Sequence, residues 1–440
     1  MGKVAFYLLH GLEVRHFLLS GLLEKEAEQN EVILIIGEKV DSPLLKEYLA
    51  TYRVTLINLP IIEIKKSGVA IEAGIRSIRD ARKRRKKLGI YNHLKKGQNG
   101  NSITDFIKGN VFSHYFSDII GRRYLSKQRT SGIILNFVKE QKISKLYLVD
   151  FGTAITKLFI NVCVHQKVEI NVFVNSLKSV FIDDFIPFTF NKFNTWNFAQ
   201  QILFTTANPG LNKNIIVATG LPYHNFLRQF NEEQIKKVIT KYDLPVSRPI
   251  IVYSLIFEKV FSKEHLIIEK INNYLIETFD IAIRPIIVLR RNPFEENTYG
   301  IKYLSALENI IIANHNWERN VQKAWTIQSL EGELEWRAFL QLSAINMNIP
   351  SMSTIDSLIC GTPVVNIAFD ENEEENKMIP HIINAPFIKE FEKSKFVKTF
   401  STFRAFKKAL PDLLYLKVNT PIKELQSSID IIQSDLSTFI

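Results

Sequence analysis

Short apolar runs alternate along the chain with longer stretches in which apolar residues recur at helical spacing. In the first half the runs are Val4–His10, Glu31–Gly37, Val54–Leu59, Lys145–Asp150, Glu169–Val174 and Asn214–Thr219. They are largely continuous rather than alternating, the pattern of strands buried on both faces. Leu12–Gln29 carries Leu12, His16, Leu19, Leu22, Leu23 and Ala27 near helical spacing and predicts one helix after the first strand; a second is predicted from about Thr153 to His165. Phe230–Asp243 is polar and helix-periodic, and Leu244-Pro245 and Arg248-Pro249 follow it. The alternation then restarts. Strands are predicted at Ile250–Leu255, Arg284–Leu289, Asn309–Ala313, Ala344–Asn348 and Val364–Ala368, with helices at Leu266–Phe279 and Leu330–Leu342, a helical turn at Thr354–Cys360 and a helical, charged tail at Phe391–Ile440. Repeated strand–helix–strand units predict parallel sheets covered on both faces. The expected architecture is α/β, with two Rossmann-like doubly wound domains facing a cleft, residues 1–225 and 226–440.

Length and composition agree with this. At 440 residues the chain exceeds one ordinary domain, and 46% hydrophobic with 23% charged residues is the balance of a folded protein. No window reaches the roughly 18 apolar residues that span a bilayer, and the start at Met1-Gly2-Lys3-Val4 lacks the shape of a cleaved signal peptide. Cys163 and Cys360 both lie in apolar runs and read as buried thiols, which suits a reducing cytoplasm. Neither has ligand-like spacing, so no zinc site is expected.

Charge changes the picture at one place. Of the net charge of +11, the segment Arg76–Lys96 supplies nine, from ten basic residues against Asp80. It lies in a basic insertion, about residues 67–130, that interrupts the strand–helix pattern. The remainder is close to neutral, which argues against a nucleic-acid groove across the molecule; on charge alone the segment suits an anionic membrane surface, an anionic acceptor or RNA equally.

The chemistry concentrates in Asn348–Asp370, NIPSMSTIDSLICGTPVVNIAFD. A strand ends at Pro350, and Ser351, Ser353 and Thr354 open a helix whose N–H groups and dipole favour an anion such as a diphosphate. Asp356 lies in its first turn, and Gly361-Thr362-Pro363 returns the chain to a strand. This segment resembles the donor-binding region of nucleotide-sugar glycosyltransferases of the two-Rossmann-domain, or GT-B, architecture and of the related glycerophosphotransferases of wall-polymer synthesis. Three more stretches are similar to that group: Asn214–Pro222 (NIIVATGLP) to the end of its acceptor domain, EEQIKKVITKYDLPVSRPIIVYSL to its interdomain helix and first donor-domain strand, and Ile286–Tyr299 (IIVLRRNPFEENTY) to an Arg-x-His-Pro loop in which Asn292 here replaces His.

The resemblance implies a nucleotide-sugar donor whose phosphates meet Arg290, Arg291, Ser351, Ser353 and Thr354, with Asp356 toward the ribose and Asp370 toward donor hydroxyls. It implies transfer of the sugar to a saccharide or lipid-linked acceptor in surface-polysaccharide assembly. No Asp-x-Asp stands in a loop, so no metal and no separate cofactor is expected, and arginine with the helix dipole would offset the phosphate charge. At the end of the first strand, His10 and Glu13 are the candidates for the base that deprotonates an acceptor hydroxyl; Asp150 and Asp183-Asp184 are the fallback carboxylates. A polyol-phosphate transferase, a nucleotide-sugar epimerase and a non-catalytic RNA-associated protein of the same fold are the alternatives. The expected location is the cytoplasm, with a peripheral position on the inner membrane face through residues 76–96.

Overall fold

Strands form where the buried apolar runs were predicted, and two short polar segments join them. The computed structural model describes residues 2–37, 40–60, 119–120, 131–149, 154–174, 190–207, 212–256, 261, 263–292, 299–313, 316–320, 325–372 and 391–417. The chain divides into two compact units, one with its main body in Met1–Phe226 and the other in Leu227–Arg319 and Thr326–Asp430.

The N-terminal unit is built on β1 (Lys3–Leu8), β2 (Glu31–Ile36), β3 (Thr55–Asn58), β4 (Ile143–Leu148), β5 (Glu169–Phe173), β6 (Lys192–Thr195) and β7 (Ile216–Ala218). Among the described residues these form one parallel sheet in the order β3-β2-β1-β4-β5-β6-β7. The single helix expected over Leu12–Gln29 is two helices, Val14–Phe17 and Leu22–Ala27. Gly21 stands between them at φ 81°, a left-handed conformation that ends the first turn and that glycine adopts without steric cost.

The C-terminal unit holds β8 (Ile250–Ser254), β9 (Ile286–Arg290), β10 (Ile310–Ala313), β13 (Ile345–Asn348), β14 (Val364–Ile367) and β15 (Val397–Phe400) in a parallel sheet of order β10-β9-β8-β13-β14-β15; β11 (Trp317–Asn320) and β12 (Trp325–Gln328) pair separately. Counted from its own first strand, this sheet has the same order as the first six strands of the other. Each therefore reverses direction at one switch point, between β1 and β4 and between β8 and β13.

The tail expected to be helical over Phe391–Ile440 is interrupted: Phe391 and Glu392 are helical but the next residues are not, and residues 418–440 lie outside the described residues. Val397–Phe400 pairs with β14 as an edge strand, and the helix starts only at Phe403, where the Thr402 hydroxyl accepts from Ala405 N at 3.3 Å. A four-residue strand with one lysine in it carries too little apolar periodicity to stand out from charged helix.

Alternation along β8, β9, β13 and β14 divides the C-terminal sheet into two faces. Ile251, Tyr253, Ile287, Leu289, Ile345, Met347, Val365 and Ile367 pack against Ile267, Ile271 and Leu275 of helix Glu264–Thr278 and against Phe406 and Leu410 of helix Phe403–Leu416. Each fully buried aliphatic side chain contributes about 1.5–3 kcal/mol as an upper estimate. This face is the core. The opposite face carries polar side chains at the carboxyl ends of the strands, and there the candidate site lies.

Candidate functional site

In the C-terminal unit the register brings one polar row together across the sheet. Ser254 of β8 pairs with Arg290 of β9 on one side and Asn348 of β13 on the other; Asn348 pairs with Asn366 of β14, and Asn366 with Thr399 of β15. Residues in register on parallel strands project to the same face, so all five side chains share the face opposite the apolar core. Ser254 and Asn348 straddle the switch point, where ligands of such sheets bind.

Hydrogen bonds run along this row in one direction. The Ser254 hydroxyl donates to Asn346 Oδ1 at 3.2 Å, Asn346 Nδ2 to Asn348 Oδ1 at 3.3 Å, and Asn348 Nδ2 to Thr354 Oγ1 at 3.1 Å. Thr354 donates to Asn366 Oδ1 at 3.4 Å, Asn366 Nδ2 to Thr399 Oγ1 at 3.4 Å, and Thr399 to Glu392 Oε1 at 2.5 Å. Asn346, Asn348 and Asn366 are at most 1% exposed. Buried amides need partners, and here each has a donor on one side and an acceptor on the other. The chain ends on a carboxylate, the strongest acceptor available.

This network seats the helix Met352–Ile359. Ser351 is its N-cap, and its Oγ accepts from Ser353 N at 3.3 Å, lies 2.8 Å from Ser353 Oγ and accepts from Asn348 Nδ2 at 3.3 Å. The helix is longer than the turn predicted over Thr354–Cys360. Of the three hydroxyl residues, Ser351 is half-buried, while Ser353 and Thr354 are buried. Ser357 donates to Ser353 O at 2.6 Å, one turn back. The hydroxyl that meets solvent at this corner is therefore that of Ser351, with half-buried Met352 beside it.

The arginines sit at the end of β9. Arg290 and Arg291 are half-buried, as is Asn292. The Arg290 guanidinium stacks on Trp336 at 3.8 Å from the ring centroid and lies 5.9 Å from that of Trp317. Trp336, fully buried on helix Leu330–Leu342, donates its indole N–H to Asp356 Oδ2 at 3.3 Å. Asp356 is 5% exposed and is turned toward Trp336. Asp370 is half-buried and closes a turn by accepting from Asn372 N at 2.8 Å, next to the ion pair of Lys263 with Glu371.

In the N-terminal unit, Glu13 is fully buried, and both its carboxylate oxygens accept from His10 N, at 3.1 and 3.0 Å. Glu13 braces the turn that leaves β1, while the His10 side chain is half-buried. His16, fully buried, meets Tyr223 edge-on at 5.7 Å, and the Arg15 guanidinium lies 4.7 Å over the same ring. His224 meets Trp196 at 5.9 Å. The β1 exit thus packs against Tyr223, at the start of the helix after β7. Asp150, Asp183, Asp184, the insertion save Ile119 and Ile120, and the basic segment 76–96 lie outside the described residues. Among the described residues no cluster of three His, Cys, Asp or Glu could hold a metal ion, and no helix is long and apolar enough to cross a membrane.

Trp336, Asn346, Asn348, Asn366 and Glu392 were not singled out by the sequence. The signal was present for the asparagines, since polar amides at Asn346, Asn348 and Asn366 interrupt otherwise buried strands.

No family model and no curated protein matches this sequence. Solved structures do. UDP-GlcNAc 2-epimerase from Neisseria meningitidis bound to UDP-GlcNAc is similar over 100% of this chain and 97% of its own, with a TM-score of 0.52 and 10% identity. A glycosyltransferase from Rickettsia africae is similar over 100% and 95%, at TM-score 0.51 and 10% identity. The fold is GT-B. A variant of the wall teichoic acid polymerase TagF is also similar, over 100% of this chain and 86% of its own, at TM-score 0.52 and 10% identity. In GT-B terms the polar row ends the sheet of the C-terminal domain at its switch point, and the Glu13 turn ends the first strand of the N-terminal domain.

Proposed function

We propose that the protein is a glycosyltransferase that moves a sugar from a nucleotide-activated donor to a saccharide or lipid-linked acceptor in surface-polysaccharide assembly. One observation carries this reading: Arg290 and Ser351 stand at the carboxyl ends of β9 and β13, flanking a switch point whose buried amides are already satisfied. A guanidinium, a half-buried hydroxyl and the start of an eight-residue helix together suit a diphosphate. Arg291 adds a second charge, and Asp370 lies near enough in the chain to reach donor hydroxyls from the end of β14. Ser353, Thr354 and Asp356 act behind this surface. His10 takes the role of base, because the Glu13 carboxylate is occupied by the backbone. Enzymes on this fold that handle UDP-sugars and wall polymers support the substrate class. The basic segment Arg76–Lys96 would hold the protein at an anionic leaflet, each charge near the surface adding about 1 kcal/mol.

A thermal-shift panel of UDP-, GDP-, CMP-, CDP- and dTDP-linked compounds identifies the donor, and CDP-glycerol in the same panel covers the polyol-phosphate alternative. Release of nucleotide from the stabilising donor is then followed with and without acceptor. Acceptor-dependent release is the expected result. The similarity to UDP-GlcNAc 2-epimerases favours a second reading, epimerisation of the donor alone, and acceptor-independent conversion of the sugar would establish it in place of transfer.

A further inference from the structure

Gln328, the last residue of β12, is 2% exposed, and among the described residues neither its amide oxygen nor its amide nitrogen has a hydrogen-bond partner. An amide buried and unmatched at both ends is costly, and a native fold keeps one where something else supplies the partners. We infer that the Gln328 carboxamide reads the nucleobase of the donor, and that the ring of Trp317 turns aside to admit it. The inference rests on the donor-phosphate reading above.

Two contacts place this amide beside Arg290. A Cβ on Gly332 would fall 2.8 Å from Gln328 Nε2, so the amide lies against the first turn of helix Leu330–Leu342. Trp336 follows one turn along the same helix face, and its ring centroid lies 3.8 Å from the Arg290 guanidinium. The second contact runs through the β11–β12 ribbon. Its strands are joined by too few residues for a parallel crossover and so run antiparallel. Ser329 N donates to Asn316 O at 2.9 Å, which sets Trp317 opposite Gln328 on one face. The Trp317 ring centroid is 5.9 Å from the same guanidinium. A nucleotide with its diphosphate at Arg290 carries its base one ribose away, in the direction of this pair. A carboxamide holds a donor and an acceptor side by side, the complement of a base edge, and an indole gives a flat face on which a base stacks. At 2% exposure the amide is reached only when a neighbour moves. Trp317 is half-buried, and its indole N–H has no hydrogen-bond partner among the described residues, so no such bond holds the ring in place.

The test is calorimetric titration of the full-length protein with whichever of UDP, GDP and CDP binds it most tightly and, in parallel, with inorganic pyrophosphate, which has the charge and no base. Gln328→Met is expected to weaken nucleotide binding about ten- to a hundredfold and to leave pyrophosphate within about twofold. The variant should also unfold at the parent's temperature or above it, because an apolar side chain of similar size removes an unmatched amide. If Gln328→Met unfolds at a lower temperature and binds nucleotide as the parent does, the amide is structural and the inference is overturned. An equal loss for pyrophosphate would put Gln328 on the phosphates, overturning base reading while the donor reading stands. If Arg290→Ala leaves both affinities unchanged, the donor reading falls and this inference with it. Should Gln328→Met fail to fold, Gln328→Glu takes its place, keeping the shape and the acceptor and losing the donor, with the same split between nucleotide and pyrophosphate expected. Tryptophan emission should change on nucleotide addition in the parent and not in Trp317→Phe; the same change in both would overturn the movement of the Trp317 ring.

Discussion

Asn348 donates to the Thr354 hydroxyl at 3.1 Å, and that hydroxyl donates onward to Asn366, so one threonine closes the gap between two neighbouring strands. All three side chains are buried, out of reach of bulk water. Thr354→Val keeps the shape and removes both bonds; the Asn366 amide oxygen loses its Thr354 donor, while Asn348 Nδ2 still donates to Ile349 O at 2.8 Å and Ser351 Oγ at 3.3 Å. Urea denaturation is expected to show a loss of about 1–2 kcal/mol. Nucleotide affinity of the folded variant should remain within about threefold of the parent, because Thr354 is proposed to act behind the surface and not on the ligand.

Ser351 is expected to behave in the opposite way. Ser351→Ala removes the N-cap acceptor for Ser353 N and should reduce stability by about 1 kcal/mol. Its effect on nucleotide binding should be larger, about 1–3 kcal/mol by calorimetry, from loss of a hydrogen bond to a charged group. Unchanged affinity in both Ser351→Ala and Arg290→Ala would move the donor site away from this edge.

At the exit of β1 the two candidates for the base separate by role. Glu13→Ala leaves His10 N without its two carboxylate contacts in a buried turn and should destabilise the protein by about 2–3 kcal/mol in chemical denaturation. His10→Gln is expected to hold stability within about 0.5 kcal/mol and to lower kcat about a hundredfold with nucleotide affinity unchanged. A His10→Gln enzyme that transfers sugar at the parental rate would remove His10 from the mechanism.

Lys417 gives a pH signature. Lys417 is half-buried, and its ammonium donates to Gln341 O at 2.6 Å, Ser343 O at 2.9 Å and Thr362 Oγ1 at 2.9 Å, capping the end of helix Leu330–Leu342. Burial pulls its pKa down from the ordinary lysine value of 10.5 to about 8. Between these values the unfolded chain holds a proton that the folded chain has released, so stability rises with pH in that window, by up to about 1.4 kcal/mol per pH unit, and is lost again as pH falls through about 8. Denaturation of the parent and of Lys417→Met at pH 7.5 and 9.5 isolates the effect. The stability difference between them should shift by about 1–2 kcal/mol in favour of the parent at the higher pH. A difference that does not move with pH would mean that Lys417 keeps its proton throughout.

Much of the local structure at the candidate site was legible in the chain. Ser351, with Gly361-Thr362-Pro363 closing the helix, reads as a helix start and stop because capping is a local property of a few consecutive residues. Arg290 and Arg291 were visible as charges ending an apolar run. Asp356 was visible too, but not its direction: a carboxylate in a first turn can face solvent or the interior, and Trp336, twenty residues away, decides which. Glu13 is similar. Its spacing from His10 marks a turn, and only the burial of that turn makes the carboxylate a brace. The helix break at Gly21 was hidden because leucines on both sides keep helical spacing through it.

By itself the sequence determined the alternation of strands and helices, the joint between two α/β units and the place where a helix start follows a buried strand. These follow from apolar periodicity and capping, which act over one or two turns of chain. The tertiary structure decided strand order and register, and through them that Arg290, Ser254, Asn348, Asn366 and Thr399 form one row. Ser254 and the amide it donates to are 92 residues apart. No local pattern sets such a pairing, because it is the joint packing of whole strands that selects which side chains end on a common line.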